Sequence, residues 1–172
     1  MGALERGWTI VCEDESIFLY DSLIRYVWAK RGSRPIVLMT GSHRRTCVYG
    51  ALSIDGRQLF RQRSNVDGES FLAYLEELKR KFAPMLLFLD KSNPHYKDEE
   101  VRAWLLENSD CIEVMWFPKA RPELNPIEQC WNLLKDELLA NRLYPTFEGM
   151  ERAIGQRIRT ERFGLNITNY LC

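Results

Sequence analysis

Residues 46–90 read TCVYGALSIDGRQLFRQRSNVDGESFLAYLEELKRKFAPMLLFLD, and the hydrophobic period changes twice along them. Thr46–Ile54 and Arg57–Arg63 are β-rich runs joined by Asp55-Gly56, a dipeptide suited to the positive-φ positions of a tight hairpin. From Asp67 to Phe82 the period becomes 3.6. Phe71, Leu72, Leu75 and Leu78 fall on one stripe, and Pro84 stops the helix. Met85–Leu89 is apolar at every position, as in a parallel strand covered on both faces. A hairpin, a crossover helix and a buried parallel strand begin a mixed sheet with helices on its faces.

The flanking sequence extends this order. Thr9–Leu19 reads as a first strand, with Ile10, Cys12, Asp14, Ser16 and Phe18 on one face and Val11, Glu13, Glu15 and Ile17 on the other. Arg25–Lys30 reads as a short strand or extended segment, and Pro35–Met39 as an apolar run. Lys97–Asn108 reads as a helix whose acidic first turn suits the helix dipole. Ile112–Phe117 is a further strand. Asn125–Leu139 is a helix with Pro126 in its first turn and Ile127, Trp131, Leu134 and Leu138 on one face, so Trp131 reads as core packing. Phe147–Arg159 is a last helix. This order matches an α/β, ribonuclease H-like mixed sheet, an antiparallel three-strand meander, then alternating helices and parallel strands, with helices on both faces, while order alone leaves other α/β folds open. One domain is expected over residues 1–172, with a core at about 8–145 and a C-terminal helical segment at 146–172.

The chain has 172 residues, 45% of them hydrophobic and 28% charged. That composition supports a packed core without disulfide or zinc staples and excludes a disordered chain. Cys12, Cys47, Cys111, Cys130 and Cys172 are odd in number and show no CxxC spacing, and there are two histidines. Reduced thiols are expected, and a zinc site has few ligands to draw on. No apolar run approaches the ~20 residues of a membrane span, and MGALERGWTI has no apolar signal core. These features predict a cytoplasmic protein with no membrane partner, in which the Asn166-Ile-Thr168 sequon has no consequence.

Lys+Arg and Asp+Glu both number 24, but the balance is a cancellation along the chain. Residues 25–63 hold nine bases (Arg25, Lys30, Arg31, Arg34, Arg44, Arg45, Arg57, Arg61, Arg63) against one acid, Asp55. Residues 67–113 hold eleven acids against six bases. The basic segment is either a phosphate-binding surface or a solvated sheet face paired with the acidic segment.

Three carboxylates stand in unusual places. Asp14 lies mid-strand on a face shared with Cys12 and Phe18, where an unpaired charge is costly. Asp90 follows the buried strand, at the end where open α/β sheets bind ligands. Glu128 lies in the first turn of its helix. Each has an ordinary reading: an exposed edge for Asp14, a turn cap for Asp90, and a capping box of Asn125 with Glu128.

A family resemblance joins them. Pro122-Glu-Leu-Asn-Pro-Ile-Glu-Gln-Cys-Trp131 resembles the PELNPIExxW signature of DDE-superfamily transposases of the insertion-sequence and mariner-like group. Leu89-Asp90-Lys91-Ser92-Asn93-Pro94-His95 resembles that family's L-D-N-x-x-x-H element, with Lys91 where Asn is usual. Cys12-Glu13-Asp14-Glu15-Ser16-Ile17-Phe18 resembles its first D-E strand. The likeness covers about residues 8–145. The sequence begins almost at the first catalytic strand, without the N-terminal helix-turn-helix modules usual in this family.

The resemblance implies a transposase catalytic domain, a DNA endonuclease and polynucleotidyl transferase, with Asp14, Asp90 and Glu128 as catalytic residues and metal ligands. Hard oxygen donors suit Mg²⁺ or Mn²⁺, and two ions would serve an in-line displacement at phosphorus. Water as nucleophile cuts transposon-end DNA, and the freed 3′-OH then attacks a target. Arg44, Arg45, His95, Lys119 and Arg121 are the candidate DNA-binding residues, with His95 either touching the scissile phosphate or orienting a carboxylate. Double-stranded DNA is the implied partner, together with a homodimer and a separate DNA-recognition chain, and the implied setting is the prokaryotic nucleoid. The competing readings are another ribonuclease H-like nuclease and a non-catalytic DNA-binding or assembly module.

Overall fold

The computed structural model describes residues 2–92, 95, 97–119, 121–165 and 167–170, the side chains of 168 and 169 excepted. Five strands form one sheet: β1 (Thr9–Leu19), β2 (Arg45–Ser53), β3 (Gln58–Arg63), β4 (Met85–Leu89) and β5 (Ile112–Trp116). Their spatial order is β3-β2-β1-β4-β5. β1 pairs antiparallel with β2, and β2 with β3. β4 lies parallel to both β1 and β5. Among the described residues four helices cover the sheet: α1 (Gly68–Phe82), α2 (Glu99–Glu107), α3 (Ile127–Leu139) and α4 (Phe147–Thr160).

Local chemistry sets the helix ends. The Asp67 carboxylate accepts from the Ser70 amide at 2.9 Å, and Asp98 accepts from the Glu100 and Val101 amides. Thr146 caps α4 through the Gly149 amide at 3.0 Å. Each cap satisfies a donor that the helix itself leaves unpaired. The predicted helices at Asp67–Phe82 and Lys97–Asn108 therefore begin one and two residues later, because the residue before each start is the cap.

The alternation in β1 sorts its side chains between two cores. Cys12 and Phe18 pack with Val48, Phe60, Trp131, Leu134 and Ile154, under α3 and α4. Val11 packs with Tyr49, Phe71, Tyr74, Leu75 and Leu87, under α1 and α2. The result is the ribonuclease H-like α/β/α layering that the element order predicts.

The connection between β1 and β2 is not a strand. Residues 24–39 are irregular, apart from one turn, and largely exposed, with Tyr26 and Trp28 fully in solvent. The ends of the segment are pinned instead. Asp21 accepts from the Thr40 and Gly41 amides, and the Ser22 hydroxyl donates to the Leu38 carbonyl at 2.7 Å. Cys12, Cys47, Cys111 and Cys130 are free thiols; Cys172 and Asn166 lie outside the described residues. Among the described residues no helix is long and apolar enough to cross a membrane.

Candidate active site

Asp14, Asp90 and Glu128 line one cleft of about 200 Å³, with Lys91, Lys119, Arg121 and Asn125 also in its wall. β1 supplies Asp14 from its middle. β4, parallel to β1, ends at Leu89, so Asp90 emerges at the carboxyl end of the strand. α3 supplies Glu128 from its first turn.

The run before α3 is folded so that this happens. Pro122–Leu124 forms a short 3₁₀ turn. The Asn125 amide group then donates to the Glu13 carbonyl at 3.2 Å, tying the loop to β1. Its Oδ1 accepts from the Ile127 amide at 3.3 Å. Pro126 stands at the N-cap position and no side-chain cap bond forms there. Glu128 is therefore in the cleft rather than closing a capping box on Asn125.

The electrostatics fit a cation site. Burial pushes Asp14 up to about 7, against the Trp131 hydrogen bond, and the charges of Glu15, Glu128 and Asp90 add to the rise. Burial would raise Asp90 too, but His95 and the Ser92 amide hold it below the usual carboxylate range. Carboxylates gathered at this cost in a cleft call for positive charge. An all-oxygen donor set suits Mg²⁺ or Mn²⁺.

His95 does not reach the cleft. It is 0% exposed, its ring lies 4.2 Å from that of Phe71, and both nitrogens are engaged. Nε2 lies 2.8 Å from Glu15 Oε1 and Nδ1 lies 2.7 Å from Asp90 Oδ1. Burial works against its charge, but these two carboxylates prevail and push it up to about 11. Contact with a scissile phosphate is thus closed to His95, while orientation of a carboxylate is what its geometry provides. Glu13 completes this rear cluster. Its ligand atom and those of Glu15 and His95 lie within 4.8 Å of one another. Both Glu13 oxygens are buried without a partner among the described residues. Burial, then the Glu15 charge, raises Glu13 well above the usual range, towards the neutral acid.

The basic segment is mostly spent on internal pairs. Arg25 pairs with Asp136, Arg44 with Glu148, Arg57 with Asp55, and Arg61 and Arg63 with Glu77. Arg44 and Arg45 are exposed but are not among the cleft-lining residues, whereas Lys119 and Arg121 are. Two contributors escaped the sequence reading. Trp131 is core, as predicted, yet its indole N–H also donates to Asp14 Oδ2 at 2.7 Å. Lys135 is half-buried and feels the charges of Glu128 and Asp14. The spacing 128, 131, 135 on one helix face was the available signal.

A five-stranded ribonuclease H-like sheet thus carries a carboxylate-lined cleft at its parallel strand ends. The family of DDE superfamily endonucleases matches residues 9–151, and the chain belongs to that family. An insertion element IS630 39 kDa protein of Shigella sonnei is 28% identical over 137 residues, covering 75% of this chain and 38% of that protein. A protein of Sinorhizobium fredii is 31% identical over 85 residues, 48% of this chain and 58% of its own length. The chain thus spans 58% or less of these curated relatives. Among solved structures, a mariner Mos1 paired-end complex with Mg superposes with a TM-score of 0.68 at 16% identity, covering 94% of this chain and 52% of that one. The HTLV-2 integrase catalytic core with magnesium gives 0.50 at 12% identity, covering 90% and 88%. These likenesses show the fold.

Proposed function

We propose that this chain is the catalytic domain of a DNA transposase, cutting phosphodiester bonds at transposon ends and joining the freed 3′-OH to target DNA. The observation that carries the reading is the meeting of Asp14, Asp90 and Glu128 in one cleft, within a chain of the DDE superfamily endonuclease family. The Mos1 complexes with transposon-end DNA, Mn and Mg support it by fold.

In this reading the three carboxylates would hold two Mg²⁺ or Mn²⁺ ions, and ions held there would supply activation of the attacking oxygen and stabilisation of the leaving one. The chain's own residues do the rest. His95 holds Asp90 from behind, and Trp131 holds Asp14 from the side. Lys91, Lys119 and Arg121 at the cleft meet the DNA phosphates, which positions the duplex without reading its bases. Recognition of transposon ends falls to another segment or chain, and a homodimer brings two ends together. Duplex DNA as substrate places the action at the cytoplasmic nucleoid.

Plasmid nicking tests the reading. Supercoiled plasmid with Mn²⁺ or Mg²⁺ should be relaxed by the chain, and EDTA should abolish this. Nicking that persists in EDTA, or in a Asp14→Asn, Asp90→Asn, Glu128→Gln triple variant, would overturn it.

A further inference from the structure

We infer that Trp131 is a positioning residue for the metal ligand Asp14, seated in a slot that Gly50 keeps open. This rests on the reading of Asp14 as a ligand given above.

The slot is built by one row of residues across three strands. Asp14 in β1 stands opposite Gly50 in β2, and Gly50 stands opposite Phe60 in β3. The Trp131 indole from α3 packs against this row. Phe60 meets it edge-on, with ring centroids 5.7 Å apart and planes at 88°. A β-carbon at position 50 would lie 2.6 Å from Trp131 Cη2 and 2.6 Å from Phe60 Cε1. Any other residue at 50 would clash with both rings, so the indole or the Phe60 ring would have to move. Glycine in a strand interior weakens the strand, and close approach of another group is a reason for it. With the ring in place, Nε1 reaches Asp14 Oδ2 at 2.7 Å.

The bond is well matched to a ligand. It occupies Oδ2, and among the described residues Asp14 Oδ1 accepts no hydrogen bond. One oxygen is fixed and the other is left for a cation. Neighbouring carboxylates repel Asp14, so a free side chain would turn away from them; a rigid donor on a fully packed ring prevents that. Trp131 also sits one turn beyond Glu128 on the same helix face. One helix therefore delivers the third carboxylate and the donor that orients the first, and the two keep their spacing if α3 shifts.

The test uses the full chain and Mn²⁺ as the probe. Trp131→Phe keeps an aromatic ring and deletes the N–H. It should raise the Mn²⁺ concentration for half-maximal nicking, and the Mn²⁺ dissociation constant by calorimetry, about tenfold, as loss of an outer partner of a ligand does. Gly50→Val leaves Trp131 and Asp14 intact and should give a rise of similar size. Leu134→Val, a packing change on the same helix, should lower the melting temperature without moving the metal requirement. A measurement without these substitutions keeps the inference open to refutation if they unfold the chain. In ¹⁵N spectra one of the five indole N–H signals should be displaced by Asp14→Asn and by Mg²⁺. Unchanged metal dependence in Trp131→Phe, or five indole signals indifferent to Asp14→Asn, would overturn the inference. Absence of Mn²⁺ binding by the unaltered chain would instead sink the reading of Asp14 as a ligand.

Discussion

The two faces of β1 carry acidic residues one position apart under opposite conditions. On the front, Asp14 lines the cleft and takes one hydrogen bond, from Trp131. On the back, Glu15 is spent on His95, and Glu13 is 0% exposed with both oxygens unpartnered. Charge alone does not separate these residues. The separation comes from what each face packs against: a helix start that brings another carboxylate to an open cleft, or the aromatic floor of Tyr49, Phe71 and Tyr74 under α1. The front face concentrates negative charge where solvent and cations reach it. The rear face reduces it, through a histidine pushed up to about 11 and a Glu13 driven towards its neutral form.

The sharpest way to break this comparison is catalytic. Asp14→Asn, Asp90→Asn and Glu128→Gln should each lower plasmid nicking by about a thousandfold or more, since groups acting as one unit are lost together. Glu13→Gln should cost less than the ~tenfold at which loss of a ligand's outer partner begins, because Glu13 holds none of the three carboxylates. A front-sized loss from Glu13→Gln would erase the distinction between the faces.

Next in size is the rear brace. His95→Ala leaves Glu15 buried without its partner and should cost about 3–5 kcal/mol of stability, read from the urea midpoint. A change below about 1 kcal/mol would mean that the Glu15–His95–Asp90 chain does not hold the rear face together.

A smaller effect concerns the cleft cations. Binding to duplex DNA should weaken steeply with salt, and Lys119→Ala or Arg121→Ala should each make the log–log slope shallower by about 0.9. Arg44→Ala, whose guanidinium is held by Glu148 and lies over Phe147, should move it less. The reverse order would return the DNA path to the β1–β2 end of the sheet. The smallest effect is at Glu13 itself. Glu13→Leu removes two orphaned oxygens and should leave stability unchanged or raise it by about 1 kcal/mol. A loss above about 2 kcal/mol by chemical denaturation would show that the Glu13 carboxyl is paired after all.

Much of the fold was legible because its signals are local. Asp55-Gly56 sets a hairpin, the 3.6 period of α1 ends at Pro84, and Met85–Leu89 has no polar position to expose. The same holds for the three cleft carboxylates, each odd in its own element and joined by the PELNPIExxW resemblance. Charge counted along the chain decided less. Nine bases in residues 25–63 fitted either a phosphate surface or a face paired with acids, and five of them end in ion pairs, four with acids more than ten residues away in sequence. Arg25–Lys30 read as a short strand or an extended segment, and it is irregular and exposed, since local pattern does not record what lies opposite.

By itself the sequence determined the element order, because propensity, turn chemistry and period act over a few residues, and the identity of the cleft carboxylates, through local motifs. Only the tertiary structure decided which side of β1 is a site. His95 read as either a phosphate contact or a group that orients a carboxylate, and its burial against Phe71, between Glu15 and Asp90, leaves it the second. Trp131 looked like packing alone and proved also to hold Asp14, because Gly50, opposite Asp14 and eighty-one positions before Trp131 in the chain, leaves the room for its ring. Such outcomes depend on distances between residues remote in sequence, and the packing of the layers sets them.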